Sequence, residues 1–394
     1  MKILYIIKDR EPLHSFRGGG QRSALIYKAL EKIGDVELAV IIGNKKYYIE
    51  NKKIKDPVHI IESSPSKESY LTYYWSRLKL KFNKLFNIYF KEDKVEKEID
   101  NLIKSNQYDV IVSRYLIPAT LSNTIKYKNL IVDIDDLPHE QFKLKKQNFP
   151  LSLIKPFLYK KYRKQYYKFI EQIPISFVSN PNQKENLNQR VLVNIPYNTP
   201  KIDNNIFSHR KDNHALYIGA LDYSANHRSL LYFLKNVWPI VIKKRPDLIF
   251  NIVGKGLPDS VKEEIQHIKG INLLGYVENL DKLFEESSIY ISPVYYGTGT
   301  NIKILEAMHY KIPIVASPLA KRGYENFIKE GENILIGSDD QDFANKILFL
   351  LDNEELQHKI ATNAANDIIN EGYYFDSFYK VMKKACEDIS KRNH

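Results

Sequence analysis

Short apolar runs rich in β-branched residues recur along the chain, with polar, helix-compatible stretches between them. In the first half they fall at 2–7, 36–42, 109–113 (D-V-I-V-S), 129–134 (N-L-I-V-D-I) and 175–178. A second series occupies 214–218 (H-A-L-Y-I), 248–253 (L-I-F-N-I-V), 271–274, 288–292 and 312–316. Strands alternating with helices predict βαβ units and a mostly parallel sheet in each half. The polar, proline-flanked stretch 197–212 reads as the linker. The expected division is therefore 1–197, 198–373 and a last segment, 374–394, whose aromatics and lysines fall at helical spacing and which is expected to pack back on the first domain. Two domains also suit 394 residues, more than one hydrophobic core usually serves. Open parallel sheets bind ligands at the carboxyl ends of their strands, so the loops after Ile7, Ser113, Ile134, Ile218, Val253, Leu274 and Pro293 are the expected site.

Composition narrows the class. Apolar residues make up 43% and aromatics 12%, enough to build cores and too much for a disordered chain. The single cysteine, Cys386, allows no internal disulfide and favours a reducing, cytoplasmic setting. Lys8, Asp9, Arg10 and Glu11 interrupt the first apolar run too early for a signal-peptide core, and no run approaches the roughly 18 residues that span a bilayer. The net charge of +12 is uneven: residues 1–197 hold 35 Lys and Arg against 21 Asp and Glu, the remainder 24 against 26. An anionic surface or ligand for the first half would explain this, and so would codon bias.

The segment Ser292–Ser317, S-P-V-Y-Y-G-T-G-T-N-I-K-I-L-E-A-M-H-Y-K-I-P-I-V-A-S, reads as strand, glycine loop, helix, proline and strand. Gly297 and Gly299 allow close backbone approach to a ligand. A helix starting near Thr300 aims the amides of Asn301, Ile302 and Lys303 at a phosphate. Glu306 is spaced to accept hydrogen bonds from a vicinal diol such as a ribose. A glycine turn before an ordinary amphipathic helix is the plain alternative.

The pattern G-x-G-x-x-x-K-x-x-E-A followed by K-I-P-I-V-A-S resembles the donor-site signature of the family 4 glycosyltransferases, which have the GT-B fold. Gly18–Gly20, Y-I-G-A-L-D-Y-S-A-N-H at Tyr217–His227, I-V-G-K-G at Ile252–Gly256 and G-Y-V-E-N-L at Gly275–Leu280 agree in order and spacing. The resemblance implies two Rossmann-like domains with parallel sheets facing a central cleft. It also implies a nucleotide-diphosphate sugar held mainly by the second domain, an acceptor held mainly by the first, and transfer with retention and without a metal or other cofactor. Lys303 and the helix amides would stabilise the leaving diphosphate, and Glu306 would complete the catalytic pair. Gly19 and Gly20 would form a loop meeting the donor phosphates, or a flexible surface turn. Gly219, Asn226, Arg228, Gly254, Tyr276, Val277, Thr298, Gly299, Thr300, Asn301 and Ile302 complete the donor-binding set the resemblance implies. Two departures stand out. Thr298 replaces an acidic residue common in the family, and Ala220 and Leu221 stand where an arginine is expected. Arg228 and Lys303 are the candidates to supply that charge.

In the first half, D-I-D-D-L-P-H (Asp133–His139) follows a strand and reaches the expected cleft edge. Asp136 and His139 are candidates to orient or deprotonate an acceptor hydroxyl; helix capping by Asp135 or Asp136 is the alternative. Arg114 is a candidate to bind acceptor or phosphate, or to pair with Asp133. Basic, aromatic, helix-periodic stretches at 67–91 and 139–172 suggest attachment to an anionic inner leaflet bearing a lipid-linked acceptor, or a core-facing stripe with a solvated lysine face. The reading is a retaining glycosyltransferase of bacterial surface polysaccharide synthesis acting on a glycan or lipid-linked acceptor. A GT-B nucleotide-sugar epimerase is the alternative. A nucleic-acid-binding protein is a further one, disfavoured because the basic half has no recognition motif.

Overall fold

The computed structural model describes residues 1–8, 18–43, 57–63, 91–144, 151–197, 210–297 and 300–392. The basic stretch 67–91, apart from Lys91, lies outside them, as do Thr298 and Gly299. Tertiary contacts divide the chain into two units, Met1–Val193 with Phe375–His394, and Asn194–Tyr374.

The first unit holds β1 (Lys2–Lys8), β2 (Asp35–Ile42), β3 (Val58–Glu62), β4 (Val110–Arg114), β5 (Leu130–Asp135), β6 (Ile175–Val178) and β7 (Gln189–Val191), in the order β3-β2-β1-β4-β5-β6-β7. All neighbours run parallel. Residues on both faces of the central strands are buried, which is why β1 and the first three residues of β4 and β5 read as continuous apolar runs rather than alternating ones. One covering helix, Asp93–Asn106, buries Val95, Ile99 and Ile103, spaced four apart so that they share a face.

The second unit holds β8 (Lys211–Ile218), β9 (Ile249–Val253), β10 (Ile271–Gly275), β11 (Ser287–Ser292), β12 (Ile314–Ala316) and β13 (Leu335–Ile336), again all parallel, in the order β10-β9-β8-β11-β12-β13. Its core is aromatic: Phe250 lies 5.1 Å from the Trp238 ring and 5.6 Å from Phe233, which in turn meets Phe343 at 5.3 Å. Full burial of each such side chain contributes about 1.5–3 kcal/mol. The final helix, Phe375–Ser390, belongs to the first unit. It buries Phe378, Met382, Ala385, Cys386 and Ile389, packs on the Gly18–Glu31 helix, and pairs Asp388 with Arg190 at 2.8 Å.

Both sheets reverse their winding direction once, between β1 and β4 and between β8 and β11. Reversal splays the connecting helices to opposite faces and opens a crevice beyond the strand ends there. Three strands absent from the hydrophobic pattern, β3, β7 and β13, lie at or next to sheet edges. Edge strands are short and partly exposed, so their sequences need little apolar character.

Candidate active site

The glycine loop follows β11, at the winding reversal of the second sheet. It leads into the helix Ile302–His309, which starts two residues later than the sequence suggests. The loop is fastened on several sides. The amides of Tyr295 and Tyr296 donate to Ser229 Oγ at 3.1 and 3.2 Å. Ser317, at the end of β12, accepts from the Val294 amide at 2.8 Å and donates to the Val294 carbonyl at 2.6 Å. Asn301 Nδ2 donates to Ser292 Oγ at 2.8 Å, and Asn194 Nδ2 to Thr300 Oγ1 at 3.1 Å. Gly297 has φ of +123°, a conformation open to glycine and strained for other residues.

The Ile302–His309 helix is amphipathic, with Ile304, Leu305, Ala307 and Met308 fully buried. Its first amide with a helical partner is that of Ile304, which donates to the Asn301 carbonyl at 3.1 Å. The amides of Ile302 and Lys303 precede it, where no turn exists behind them to accept. Lys303 and Glu306, three apart, meet on one face, with Nζ to Oε2 at 2.6 Å. Glu306 is only 8% exposed, so its carboxylate is held in place by this pairing.

Neighbouring turns build the rest of the crest. The Gly219 amide donates to the Val253 carbonyl at 2.9 Å and the Gly254 amide to the Gly275 carbonyl at 2.8 Å, so the turns after β8, β9 and β10 are bonded in series. A Cβ on Gly254 would collide with the Gly219 carbonyl oxygen and lie 2.7 Å from Leu221 Cγ; glycine is needed there for backbone approach. Asn226 Nδ2 donates to the Ala220 carbonyl at 3.0 Å, which shapes the β8 turn rather than facing outward. Arg228 is exposed, its guanidinium 4.3 Å from the Tyr296 ring centre. Tyr276 is 49% exposed and Val277 half-buried beyond β10. Beneath the crest, the buried Tyr290 hydroxyl donates to the Ile218 carbonyl at 3.3 Å, and burial pushes its pKa well up.

Sequence reasoning missed one residue of this loop. Arg322, in the turn after β12, donates from Nη1 to the Gly297 carbonyl at 2.6 Å. Its only signal was position, five residues past the end of K-I-P-I-V-A-S.

In the first unit the structure corrects three expectations. Gly18–Gly20 open the helix Gly18–Glu31 instead of forming a loop or flexible turn, and Gly20 is buried. Arg114 is not presented to a ligand and follows the other reading, pairing with Asp133: it is 1% exposed and donates to Asp133 at 2.5 Å and Asp135 at 2.8 Å. Asp133, fully buried, also receives Arg22 at 2.6 and 2.9 Å, so two arginines and two aspartates form one cluster. Burial would lower both guanidinium pKa values, but Asp133 and Asp135 outweigh it and raise them. His139, placed at the open edge by the sequence, is 1% exposed and lies 5.0 Å from the Tyr166 ring, with Tyr159 and Tyr167 at 6.0 Å. The Pro138–Leu144 helix packs against the Leu151–Ile170 helix and carries this ring into it, and burial holds its pKa below the usual histidine value. Asp136 stays half-buried, with Ser179 Oγ at 3.5 Å from Oδ1.

Residues 212–353 match the family described as Glycosyl transferases group 1. An uncharacterised 44.6 kDa protein of the cps region of Klebsiella pneumoniae is 31% identical over 185 residues, 45% of each chain. A poly(ribitol-phosphate) alpha-N-acetylglucosaminyltransferase of Staphylococcus aureus is 30% identical over 147 residues, 35% of this chain and 29% of the relative. The matched stretches thus span less than half of either relative. Among solved structures, a Staphylococcus aureus TarM variant in complex with Fondaparinux, alpha-GlcNAc-glycerol and UDP superposes with a TM-score of 0.65 at 16% identity, covering 98% of this chain and 100% of that one. The chain therefore has the GT-B fold, and its similarity to the group 1 glycosyl transferases lies in residues 212–353.

Proposed function

We propose that the chain is a retaining glycosyltransferase of bacterial surface glycan synthesis, moving a sugar from a nucleotide-diphosphate sugar to a glycan or lipid-linked acceptor without a metal. The observation that carries this reading is the glycine loop at the winding reversal of the second sheet, running into a helix whose first turns present free amides, Lys303 and Glu306 together. Amides and a lysine aimed at one point stabilise the charge that builds on a departing diphosphate, which is the main demand of sugar transfer. Glu306, already oriented by Lys303, accepts from the ribose hydroxyls. The relatives named for glycan transfer and the TarM variant with bound UDP support the substrate class. Thermal unfolding in the presence of UDP, GDP, ADP and their sugars tests it, because a ligand bound only by the folded state raises stability. At least one should shift the transition and be turned over in the presence of EDTA. Binding by none of them would refute the reading.

The acceptor reading extends to a membrane surface. On the helix Leu151–Ile170, Leu153 is 71% and Phe157 59% exposed, and Lys160, Arg163, Lys164 and Lys168 are exposed on the following turns. Apolar side chains flanked by cations suit an anionic bilayer surface, each near-surface cation contributing about 1 kcal/mol. Vesicles containing phosphatidylglycerol should co-sediment the protein at physiological salt. The double variant Leu153→Ser, Phe157→Ser should remain in the supernatant; equal pelleting of both proteins would remove this face from the proposal.

A further inference from the structure

We infer that Arg322 is the second cation of the diphosphate site, beside Lys303. The inference rests on the nucleotide-sugar reading above and adds a residue to it. Three observations carry it.

Charge comes first. Lys303 is answered by Glu306 at 2.6 Å, so this pair is close to neutral before any ligand arrives. A nucleoside diphosphate carries more than one negative charge, and two helix amides and one shared lysine leave much of it uncompensated. Among the described residues no carboxylate pairs with Arg322; its side chain donates to the neutral Gly297 carbonyl. A guanidinium with a single neutral partner keeps its full charge and spare N–H groups in a fixed fork, the geometry that suits phosphate oxygens.

Position comes second. Arg322 follows β12, the neighbour of β11 in the sheet, and its bond to Gly297 sets it at the loop that opens the Ile302–His309 helix. The turn it occupies is anchored to the same loop by Ser317 and Val294. The third observation concerns the other candidates. Arg228 is exposed and stacks on Tyr296, while Ala220 and Leu221 offer no charge. Half-buried Arg322 is both fixed and reachable from solvent.

The test compares wild type with Arg322→Gln and Arg322→Lys by titration with UDP, GDP and ADP, each beside its uncharged nucleoside measured by competition. For the diphosphate that wild type binds, Arg322→Gln should weaken affinity at least tenfold and Arg322→Lys by a smaller factor. Affinity for the matching nucleoside should change less than twofold in both. Without ligand, both variants should melt close to wild type, since one bond to a carbonyl is lost at a partly exposed site. If Arg322→Gln does not fold, Arg322→Lys decides alone, since it keeps the charge and loses the fork. Unchanged diphosphate affinity overturns the inference. So does an equal loss for diphosphate and nucleoside, which would make Arg322 a brace for the loop only. Failure of wild type to bind any of the three diphosphates would instead remove the nucleotide reading on which the inference stands.

Discussion

Gly254→Ala isolates the packing of the crest from its chemistry. The residue's φ lies outside the left-handed region, so alanine suits the backbone, and the clash alone decides the outcome. The new Cβ would sit 2.7 Å from Leu221 Cγ and closer still to the Gly219 carbonyl oxygen, where ordinary contact begins at 3.4 Å. One turn must therefore move by 0.7 Å or more from the Leu221 side alone. The turns are tied by Gly219 N–H to Val253 and Gly254 N–H to Gly275, so this movement strains or breaks one of those bonds. Overpacking costs about 1–3 kcal/mol and a lost hydrogen bond about 1, against a gain of about 0.4–1 from restricting the unfolded chain. A net loss of about 2–3 kcal/mol lowers the melting temperature by roughly 4–12 °C for a unit of this size. Gly275→Ala, with nothing within 4 Å but φ of +66°, is the control and should cost only the backbone term of about 1–2 kcal/mol. Differential scanning calorimetry of both variants reads the contrast. A Gly254→Ala protein melting within 2 °C of wild type would show that the crest turns are not closely packed.

Lys303→Ala and Glu306→Ala should each lower transferase turnover by about 10²-fold or more, the scale of losing one preorganised charge contact. Lys303→Ala leaves the 8%-exposed Glu306 carboxylate unpaired and should also lower the melting temperature, whereas Glu306→Ala should melt close to wild type; wild-type rates in either would remove its assigned role. Asp133→Ala leaves Arg22 and Arg114 buried with too little negative charge, and should cost about 3–5 kcal/mol in urea unfolding. An unchanged urea midpoint would mean that the cluster contributes nothing to the fold. Stability should also fall with pH. Burial depresses His139, against Glu140 and Glu185, and depresses His309, against its bond to the Tyr373 carbonyl, so both fold below the ordinary 6.5. The unfolded chain then takes up protons first: the contribution is complete above about pH 6.5 and is lost as pH falls toward the folded values. Melting at pH 5.5 should lie below that at pH 7.5, with His139→Phe narrowing the gap; an equal gap in that variant would place the effect elsewhere.

Parallel sheets were legible because strands buried on both faces write themselves as apolar runs, as in Ile3–Ile7 and Leu38–Ile42. The edge strands β3, β7 and β13 were not, since β3 is V-H-I-I-E, β7 only Q-R-V and β13 two residues long. The donor loop was legible for a different reason. Glycine, lysine and glutamate at fixed spacing on one helix face form a local pattern, and the helix brings the pair to 2.6 Å without help from distant chain. Arg22 and Arg322 depend on partners 111 and 25 residues away, which no local pattern reveals, whereas the Arg114–Asp133 pair joins the ends of two neighbouring strands and could be named in advance.

The same dependence on distant partners explains why charge counting along the sequence misplaced the cations that matter. The first half carries the basic excess, yet its two most buried arginines are cancelled by Asp133 and Asp135 and face no ligand. Four of its exposed cations, Lys160, Arg163, Lys164 and Lys168, lie instead on the helix that carries Phe157, where they suit a surface rather than a pocket. In the nearly neutral second half, Lys303 is matched by Glu306, whereas Arg228 and Arg322, which meet no carboxylate among the described residues, both touch the glycine loop, through Tyr296 and Gly297. A diphosphate site needs local positive charge that is not already spent, and net charge over two hundred residues does not measure that. By this reasoning Arg322→Gln should reduce diphosphate affinity more than the removal of any single lysine from the Leu151–Ile170 helix, although that helix holds far more of the chain's basic excess.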